Sequence, residues 1–519
     1  MNISESLLLR LSLLFCSLSY LSVSAQTWQQ QVDIDIRVAL DDQTHSLDGD
    51  IRLTYHNNSP DTLDFVWMHL WPNAYRNGQT AMAKQHYRDG DMFMFYAMSR
   101  DLGGIDSLAF SVGSMPLVWQ YHPEHIDIAK VILPEPLAQG QSVEIRTPFR
   151  VDIPSGSISR LGHVGESYQI TQWFPKPAVY DEDGWHPMPY LSQGEFFSEY
   201  GSYDVRITLP SNYTVGATGD YVPGSEDNEM ELKRLAQLVE ETEVWVTSEG
   251  WIETTNDFPA SSSVMKTLHF RQSRIHDFAW FADKRYKVLQ GEVTLPGDGR
   301  SVNTWAMFTP AEGELWQNAP EYLHDATYYY SLWNGDYPYN QVTAVDGTIS
   351  AGGGMEYPNV TVIGSSGSPS GLETVIVHEV GHNWFYGILG SNEREHAWMD
   401  EGINSFNETR YLLTKYGTDK DISLLLGENN LSKRFDLEKF QYKWIDELSY
   451  MFLARLGADQ PMQCHSNSLT SLNYGAIIYK KTAAAFAMLQ SHLGQARFDA
   501  AMRMYLSLIH ISEPTRPRE

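Results

Sequence analysis

The hydrophobic pattern of this chain changes from a period of two to a helical period near residue 290. Segments 32–38, 49–55 and 203–209 alternate apolar and polar residues, as half-buried strands do. Later segments repeat their apolar residues at helical spacing, at 315–330, 370–386, 402–416 and 479–493. We therefore predict a multidomain fold, with an antiparallel β-rich domain at residues 26–290 and a mainly helical α/β domain at residues 291–505.

The size and charge of the chain exclude some classes of protein. Its 519 residues are enough for two or three domains, and a hydrophobic fraction of 42% excludes a disordered chain. The 65 acidic residues against 37 basic ones give a net charge of −28, which repels nucleic acid and anionic membrane surfaces. We therefore expect no nucleic-acid partner, while the oligomeric state stays open.

The first 25 residues have the pattern of a secretory signal peptide. Arg10 precedes a mostly apolar stretch at 11–21, and Val23-Ser24-Ala25 places small residues at the cleavage positions. The apolar stretch is too short to span a bilayer comfortably, although a retained membrane anchor is the alternative. We expect an exported bacterial protein that is periplasmic, on the outer surface or secreted, with no transmembrane segment after cleavage. The mature chain then has Cys464 as its single cysteine, so it forms no intrachain disulfide.

The motif that constrains the chemistry most is His378-Glu379-Val380-Gly381-His382. Residues four apart share one face of a helix, so His378 and His382 can bind one metal ion together. Glu379 then lies near the open coordination position, where it can accept a proton from an activated water molecule. The alternative is an ordinary helix face, but two buried histidines and a carboxylate without a partner or metal would cost several kcal/mol.

A third metal ligand is expected because catalytic zinc sites hold three protein ligands and keep one position open. Glu401 follows His382 by 19 residues (401 − 382), in Trp398-Met399-Asp400-Glu401-Gly402 at the start of the next predicted helix. An antiparallel return would bring Glu401 to the histidines; a surface glutamate at a helix start is the alternative. We predict one zinc ion on His378, His382 and Glu401; Asp400 is a candidate to contact these ligands, but the sequence does not assign it that role. A purely structural zinc site usually has four ligands, often cysteines, and this chain has almost no cysteine.

The HExxH motif, the 18-residue gap and the glutamate of Trp398-x-x-Glu401-Gly402 resemble the zinc aminopeptidases of the aminopeptidase N and leukotriene hydrolase family. This gluzincin resemblance implies a thermolysin-like catalytic domain and peptide substrates with a free amino terminus. It also implies that a helical domain normally follows the catalytic domain.

The end of the chain departs from that arrangement. Residues 506–516 break the preceding helical pattern and resemble the translation of a sequencing-library adapter. We therefore expect residues 506–519 to be an artefact and the C-terminal helical domain to be missing, with an ordinary frayed tail as the alternative.

The segment Gly353-Gly354-Met355-Glu356-Tyr357 resembles the G-x-M-E-N exopeptidase loop of the family, with Tyr357 in place of asparagine. The resemblance implies that Gly354 and Met355 lie along the substrate as an edge strand and that Glu356 holds the free α-amine. A carboxylate at a fixed distance from zinc selects substrates whose ammonium group lies one residue from the scissile bond.

Tyr479 opens Tyr479-Lys480-Lys481-Thr482-Ala483, which is similar to the Y-x-K-G-A segment of the family with Thr482 in place of glycine. The resemblance implies that Tyr479 donates a hydrogen bond to the oxyanion. A phenol suits this task because it stays neutral and points a donor at developing charge. Tyr474, five residues earlier, is the competing candidate.

A second amine anchor comes from a Q-x-E segment of the β domain in the family. The nearest match here is Gln172-Trp173-Phe174, which keeps Gln172 but has Phe174 at the glutamate position. The resemblance therefore implies a substrate contact for Gln172 and places amine recognition mainly on Glu356. Glu195 and Glu199 lie nearby in the sequence, which assigns neither of them a place.

These observations predict a zinc-dependent aminopeptidase in which Glu379 is the general base and Tyr479 stabilises the oxyanion. An endopeptidase on a similar core is disfavoured by the segment Gly354-Met355-Glu356, which such an enzyme does not need. A zinc-retaining peptide-binding module without turnover is disfavoured because Glu379 is intact.

Overall fold

The computed structural model describes residues 28–248, 257–347, 353–419, 434 and 439–509. The signal peptide predicted at residues 1–25 lies outside these residues, as does most of the tail predicted at 506–519. Within the described residues, β-sheets dominate the first half and helices dominate the second, as the change of period predicts.

The largest sheet has nine strands and forms the frame of the N-terminal part. Ile34, Ile36 and Val38 point inward from its central strand and are buried, because alternate side chains of a strand face the same side. The strands are antiparallel except for Gln31–Asp41 and Gly201–Pro210, which run parallel. From one edge to the other the strands are Asp220–Tyr221, Met265–Ile275, Gly201–Pro210, Gln31–Asp41, Ser46–His56, Ser142–Asp152, Ser111–Val112 and Met115–Pro116, with Gly104–Asp106 also paired to Ser142–Asp152.

Three smaller sheets complete the β-rich part. The first consists of Gly162–Val164, Ser167–Ile170, Trp280–Asp283 and Thr214–Ala217. The second consists of Lys176–Pro177, Leu63–His69, Ile128–Leu137 and Trp119–Tyr121, and the third pairs Tyr180–Asp181 with Gly184–Trp185.

A long helix, Glu226–Thr247, interrupts the β-rich part and is absent from the sequence prediction. Its start carries a signal that could have found it, because the Ser225 side chain accepts a hydrogen bond from the Asn228 backbone and three acidic residues occupy the first turn. The buried Leu235 and Thr242 lie seven residues apart, on one face of the helix.

The fifth sheet contains the predicted site residues Gly354, Met355 and Glu356. Its strands are Lys287–Thr294, Ser301–Phe308, Gln341–Asp346, Val360–Ile363 and Gly354–Tyr357. The two central pairings are parallel, and Gly354–Tyr357 pairs antiparallel at one edge. This sheet begins at Lys287, close to the domain boundary predicted at residue 290, which stays a prediction.

The helical part contains six longer helices in the described residues. They are Ala319–Asn334, Pro369–Gly381, Ile403–Tyr416, Ile445–Leu456, Thr482–Leu493 and Gln495–Ile509. Short α-helices occur at Ala81–Arg88, Phe93–Tyr96, Gly313–Trp316, Glu393–Ala397 and Ser471–Asn473, and 3-10 turns occur at Trp71–Tyr75, Pro310–Glu312, Tyr442–Trp444 and Ser466–Ser468. Two π-helical segments, Trp398–Gly402 and Tyr474–Lys481, carry predicted site residues.

The last described helix runs to Ile509, across the boundary predicted at residue 505. None of the helices in the described part of the chain combines the length and apolar character needed to cross a bilayer.

Candidate active site

The helix that carries the HExxH motif, Pro369–Gly381, is fixed at its start and by its packing. The helical repeat predicted at 370–386 starts and ends later than this helix. In the structure Ser368 is the cap, since its side chain accepts from the Gly371 backbone, and Pro369 occupies the first turn, where no N–H is needed. The helix ends at Gly381, and His382 keeps helical backbone angles.

Gly381 allows close packing of this helix against its neighbours. A Cβ atom there would lie 2.1 Å from Oδ1 of Asn404 and 2.4 Å from the ring of Tyr330. The helices Ile403–Tyr416 and Ala319–Asn334 therefore approach the motif closely. That approach brings the beginning of Ile403–Tyr416, and Glu401 just before it, to the histidines.

The three predicted metal ligands meet in the structure. His378 Nε2 lies 3.0 Å from Glu401 Oε2 and 3.2 Å from His382 Nε2, and the third side of this triangle is 3.3 Å. Tetrahedral zinc with bonds of about 2.0–2.1 Å separates neighbouring ligand atoms by roughly 3.3 Å. The spacing and the N, N, O donor set therefore fit one zinc ion.

The outer ring nitrogens of both histidines are held by carboxylates. Nδ1 of His378 lies 2.9 Å from Glu408 Oε2, and Nδ1 of His382 lies 2.6 Å from Asp400 Oδ1. Such partners fix the ring orientation and leave Nε2 of each ring directed at the metal position. Burial opposes the charged form of His378, but Glu401 and Glu408 raise its pKa to about 10. The same histidines overcome burial and hold the pKa of Glu401 well below its ordinary value.

Glu379 lies beside the ligands and against the edge strand Gly354–Tyr357. A Cβ atom on Gly354 would lie 2.6 Å from Glu379 Oε1, so only glycine lets the strand run this close. Oε2 of Glu379 is buried and has no hydrogen-bond partner among the described residues. Burial raises the pKa of Glu379 to about 7, although His378 and His382 lower it.

Glu356 projects from the edge strand into the same space. One carboxylate oxygen of Glu356, one of Glu379 and one ring nitrogen of His382 all lie within 4.8 Å of one another, so these three side chains can contact the same bound group. Oε1 of Glu356 is buried without a hydrogen-bond partner in the described part of the chain. Burial raises the pKa of Glu356 well above its ordinary value. The free oxygen of this carboxylate can therefore accept a hydrogen bond from a ligand.

Tyr479 and Tyr474 lie on the π-helix Tyr474–Lys481. A π-helix joins residues five apart by hydrogen bonds, so side chains at this spacing come close to one face. The two rings lie 5.8 Å apart between centroids. The Tyr479 hydroxyl donates to Glu401, whereas the Tyr474 hydroxyl donates to Glu195 Oε2 at 2.7 Å. The structure thus brings Tyr479 to the metal position and Tyr474 to a different carboxylate.

A cavity of about 500 Å³ joins these groups, and it contains most of the predicted site residues. Its lining includes all three metal ligands, Glu379, Glu356, Tyr479 and Glu408, and it continues along a wall of the β-rich part. From that wall come Ser159, Arg160, Ser192 and Glu195. A second cavity of about 570 Å³ lies among the last helices, and none of the predicted site residues lines it.

Gln172 lies beneath the edge strand and does not line this cavity. Its Oε1 accepts from the Tyr357 hydroxyl at 3.4 Å, and its Nε2 donates to Asp277 at the same distance. Phe174, at the position where the family has glutamate, is a core residue packed between Trp173 and Tyr203. Glu199 is likewise buried outside the lining, where it accepts from the Tyr180 backbone.

The part of the chain that carries this site matches a known family. Residues 324–514 match the peptidase family M1 domain, a range that includes the motif helix, Glu401 and Tyr479. This match covers less than half of the chain and describes that part alone. The resemblance drawn from the HExxH motif and its spacing is confirmed.

A solved structure shares the fold of this chain, and curated relatives share part of its sequence. The fold is similar to a variant of the M1 zinc metallopeptidase from Deinococcus radiodurans, with 16% identity and a TM-score of 0.56 over 94% of this chain and 88% of that chain. Aminopeptidase M1-B from Oryza sativa subsp. japonica is 25% identical over 28% of this chain, and leucine aminopeptidase 2 from Yarrowia lipolytica is 26% identical over 30%. The aligned parts span 15% and 23% of those two relatives.

Two partners of the M1 motif helix were missed from the sequence. Glu408 binds the ring of His378, and Asn404 Nδ2 donates to the His378 carbonyl at 2.6 Å. Glu401 and Glu408 are seven residues apart, so a search for carboxylates on the same helix face would have found Glu408. Arg160 carries no such signal, because it comes from a distant loop of the β-rich part.

Proposed function

We propose that this protein is a zinc-dependent aminopeptidase that hydrolyses N-terminal residues from peptides. The observation that carries the proposal is the meeting of a zinc-sized ligand triangle, a general base and the unpartnered carboxylate of Glu356 in one cavity. The aminopeptidase names of the curated relatives support it. So does a similar structure of the Deinococcus enzyme, which contains a Tyr-Ser-Ala substrate.

The proposed metal is one zinc ion on His378, His382 and Glu401. When bound, zinc supplies a Lewis acid that polarises a water molecule and the scissile carbonyl. Glu379 accepts the proton of that water at its free Oε2 and returns a proton to the leaving amine. The Tyr479 hydroxyl, which borders Glu401, turns its hydrogen bond to the developing oxyanion.

Glu356 supplies the selection for a free amino terminus in this proposal. A buried carboxylate with a free oxygen is costly until a cation pairs with it, so an α-ammonium group gains most from this position. Gly354 and Met355 offer the edge of the strand to the peptide backbone. Gln172 acts indirectly, because its contact with Tyr357 supports the strand from below.

The experiment that tests this function compares two peptides that differ only by acetylation of the amino terminus. We expect the zinc-loaded protein to cleave the free peptide and to leave the acetylated one intact. Glu356→Ala should abolish this discrimination. Equal cleavage of both peptides by the wild type would contradict the aminopeptidase and indicate an endopeptidase. Zinc and peptide binding without cleavage would indicate the binding module.

The cellular location of the protein and the boundaries of its domains are also proposals. The pattern of residues 1–25 supports export from a bacterial cell to the periplasm, outer surface or medium. The proposed catalytic domain is 291–505, after a β-rich domain at 26–290. We further propose that residues 506–519 are artefactual; the tests are N-terminal sequencing of the mature protein and resequencing of the gene.

A further inference from the structure

A carboxylate, a histidine and a serine of the β-rich part form a hydrogen-bonded chain that ends in the cavity. Asp91 Oδ2 lies 2.8 Å from Nδ1 of His86, and Nε2 of the same ring lies 2.6 Å from Oγ of Ser192. Ser192 lines the cavity. This order of groups is the one that activates a serine hydroxyl as a nucleophile. We propose that Ser192 is a second nucleophile in the cavity, which hydrolyses activated esters without zinc.

The helix Ala81–Arg88 and the turn after it fix the base and its carboxylate. His86 is a buried residue of this helix. The Asp91 backbone N–H donates to the His86 carbonyl at 2.9 Å, and Asp91 Oδ1 accepts from the Phe93 backbone at 2.8 Å. Oδ2 then faces the ring, and because a carboxylate accepts hydrogen bonds, Nδ1 carries the proton. Nε2 is therefore an acceptor directed at the Ser192 hydroxyl.

The same helix holds the backbone of the nucleophile. The backbone N–H groups of Ser192 and Gln193 donate to Gln85 Oε1 at 2.8 and 2.9 Å. Gln85 precedes His86 in the helix, so neighbouring side chains fix both the position of the serine and its base. The Ser192 hydroxyl also lies 3.3 Å from Oγ of Ser159, which lines the cavity too. The hydroxyl is thus held between its base and the open space of the cavity.

The contacts of Ser192 also decide which substrates it can use. Its backbone N–H and that of Gln193 are occupied by Gln85, so they do not stabilise a developing oxyanion. In enzymes that depend on such donors, the loss of one lowers kcat by about 10²–10³-fold. A peptide bond has a poor leaving group and needs this stabilisation, whereas an aryl ester has a good leaving group. The structure therefore favours aryl esters over peptides as substrates of Ser192.

The two steps of the reaction need only the ester and water. In the first step, the Ser192 oxygen bonds to the ester carbonyl carbon and its proton passes to His86 Nε2. The bond to the aryl oxygen breaks, and the phenolate takes the proton from His86. In the second step, His86 takes a proton from water as the water oxygen bonds to the acyl carbon. The bond to Ser192 breaks, its oxygen regains the proton, and a carboxylic acid leaves.

The test uses the metal-free full chain, so that the zinc centre contributes no hydrolysis. One probe is a fluorophosphonate, whose phosphorus bonds to a serine oxygen as fluoride leaves, and mass spectrometry locates the adduct. The other is p-nitrophenyl acetate, whose cleavage releases p-nitrophenol. Ser192→Ala removes the nucleophile and His86→Gln removes the base. Ser159→Ala and His186→Gln are matched controls, since Ser159 lines the same cavity and His186 pairs with Asp181 away from its lining.

We expect one phosphonyl group per chain, on Ser192, and release of p-nitrophenol without zinc. Both should be lost in Ser192→Ala and become about 10²-fold slower in His86→Gln. Asp91→Asn should slow them about tenfold, a smaller effect because the Asp91 side chain is 48% exposed and its charge is screened by solvent. The controls should change each rate less than threefold. Wild type without an adduct on Ser192, or with the same labelling rate as His86→Gln, would overturn the inference.

The test stays decisive if the buried histidine cannot be replaced. Should His86→Gln fail to fold, Asp91→Asn carries the comparison, because it changes one atom of a half-exposed side chain, and an unchanged labelling rate there would overturn the inference. The proposed peptidase is tested separately, since it needs zinc. A protein labelled on Ser192 that cleaves no peptide with zinc would contradict the peptidase alone.

Discussion

Two buried ion pairs of the β-rich part satisfy each other's charges, whereas several carboxylates around the cavity keep one oxygen without a partner among the described residues. Lys176 and Asp277 lie 2.9 Å apart, and Lys266 lies 2.7 Å from Glu231, with all four side chains almost fully buried. Around the cavity, Glu356, Glu379, Glu393 and Asp400 each keep a buried carboxylate oxygen without a hydrogen-bond partner among the described residues.

The difference shows which part of the molecule has its buried charges neutralised without a ligand. A buried ion pair whose two partners are also hydrogen-bonded needs no ligand to neutralise its charges, so we interpret it as part of the folded framework. Several buried carboxylates with unsatisfied oxygens close together are unfavourable until a cation or proton joins them. Glu356, Glu393 and Asp400 even approach one another, with one oxygen from each within 4.8 Å. The cavity region therefore gives up stability in order to bind metal and substrate.

The largest effect is expected at the general base. Glu379→Gln keeps the shape and the zinc ligands but cannot accept the proton of water. We expect kcat/KM to fall by about 10²–10⁴-fold, with zinc content and thermal stability unchanged or improved. Steady-state kinetics and metal analysis check this. Activity within tenfold of wild type would place the base elsewhere.

The next effect breaks a complete pair in the β-rich part. Lys266→Met leaves the buried Glu231 with Arg234 as its remaining cation, so we expect unfolding to become easier by about 1–3 kcal/mol. Urea denaturation measures the loss, and activity per folded molecule should not change. Lys266→Met/Glu231→Leu should recover most of the stability, which separates the missing charge from lost packing. A loss of activity with unchanged stability would contradict the comparison.

The tyrosines of the π-helix provide a smaller contrast. Tyr479→Phe removes the hydroxyl beside Glu401, and we expect kcat to fall about 10²–10³-fold. Tyr474→Phe removes the donor to Glu195 and should act mainly on KM, because it supports binding rather than the oxyanion. Separate measurement of kcat and KM decides this, and the reverse pattern would exchange the two roles.

The smallest effect concerns a buried carboxylate of the β-rich part that has no cationic partner among the described residues. Burial raises the pKa of Glu199 to about 8, above its unfolded value near 4.5. Stability from its proton is therefore complete below about pH 4.5 and is lost as pH rises through 8. Between pH 6 and 7, wild type should lose about 1.4 kcal/mol more than Glu199→Gln. Equal slopes of the unfolding free energy against pH would show that Glu199 is already ionised.

The features that could be predicted from the sequence are those set by the spacing of residues close together in the chain. The histidines and Glu401 lie on helical segments close in the sequence, and the spacing of the motif together with its family resemblance indicates a common metal. Glu356 and Tyr479 could be chosen by resemblance of short motifs, and the structure brings both to the cavity. The change of period separated β-rich from helical parts, although the helix Glu226–Thr247 was missed because its capping signal was not used.

The remaining features depend on tertiary contacts that leave no pattern in one sequence. Arg160 and Glu195 meet across 35 residues, and Tyr474 reaches Glu195 across 279. The π-helical spacing that separates the roles of Tyr474 and Tyr479 cannot be read from a helical pattern. Gln172 matched a short motif, yet its side chain is occupied by Tyr357 and Asp277 beneath the cavity.

The proposed function depends most on one zinc ion held by His378, His382 and Glu401. The most direct test is zinc titration of metal-free protein, followed by metal analysis and thermal unfolding, with His382→Ala and Glu401→Gln alongside. We predict one zinc per wild-type chain and a stabilisation of about 2.7 kcal/mol at a hundredfold excess over Kd, both lost in the variants. Wild type that binds no zinc, or variants that bind it equally well, would contradict the account.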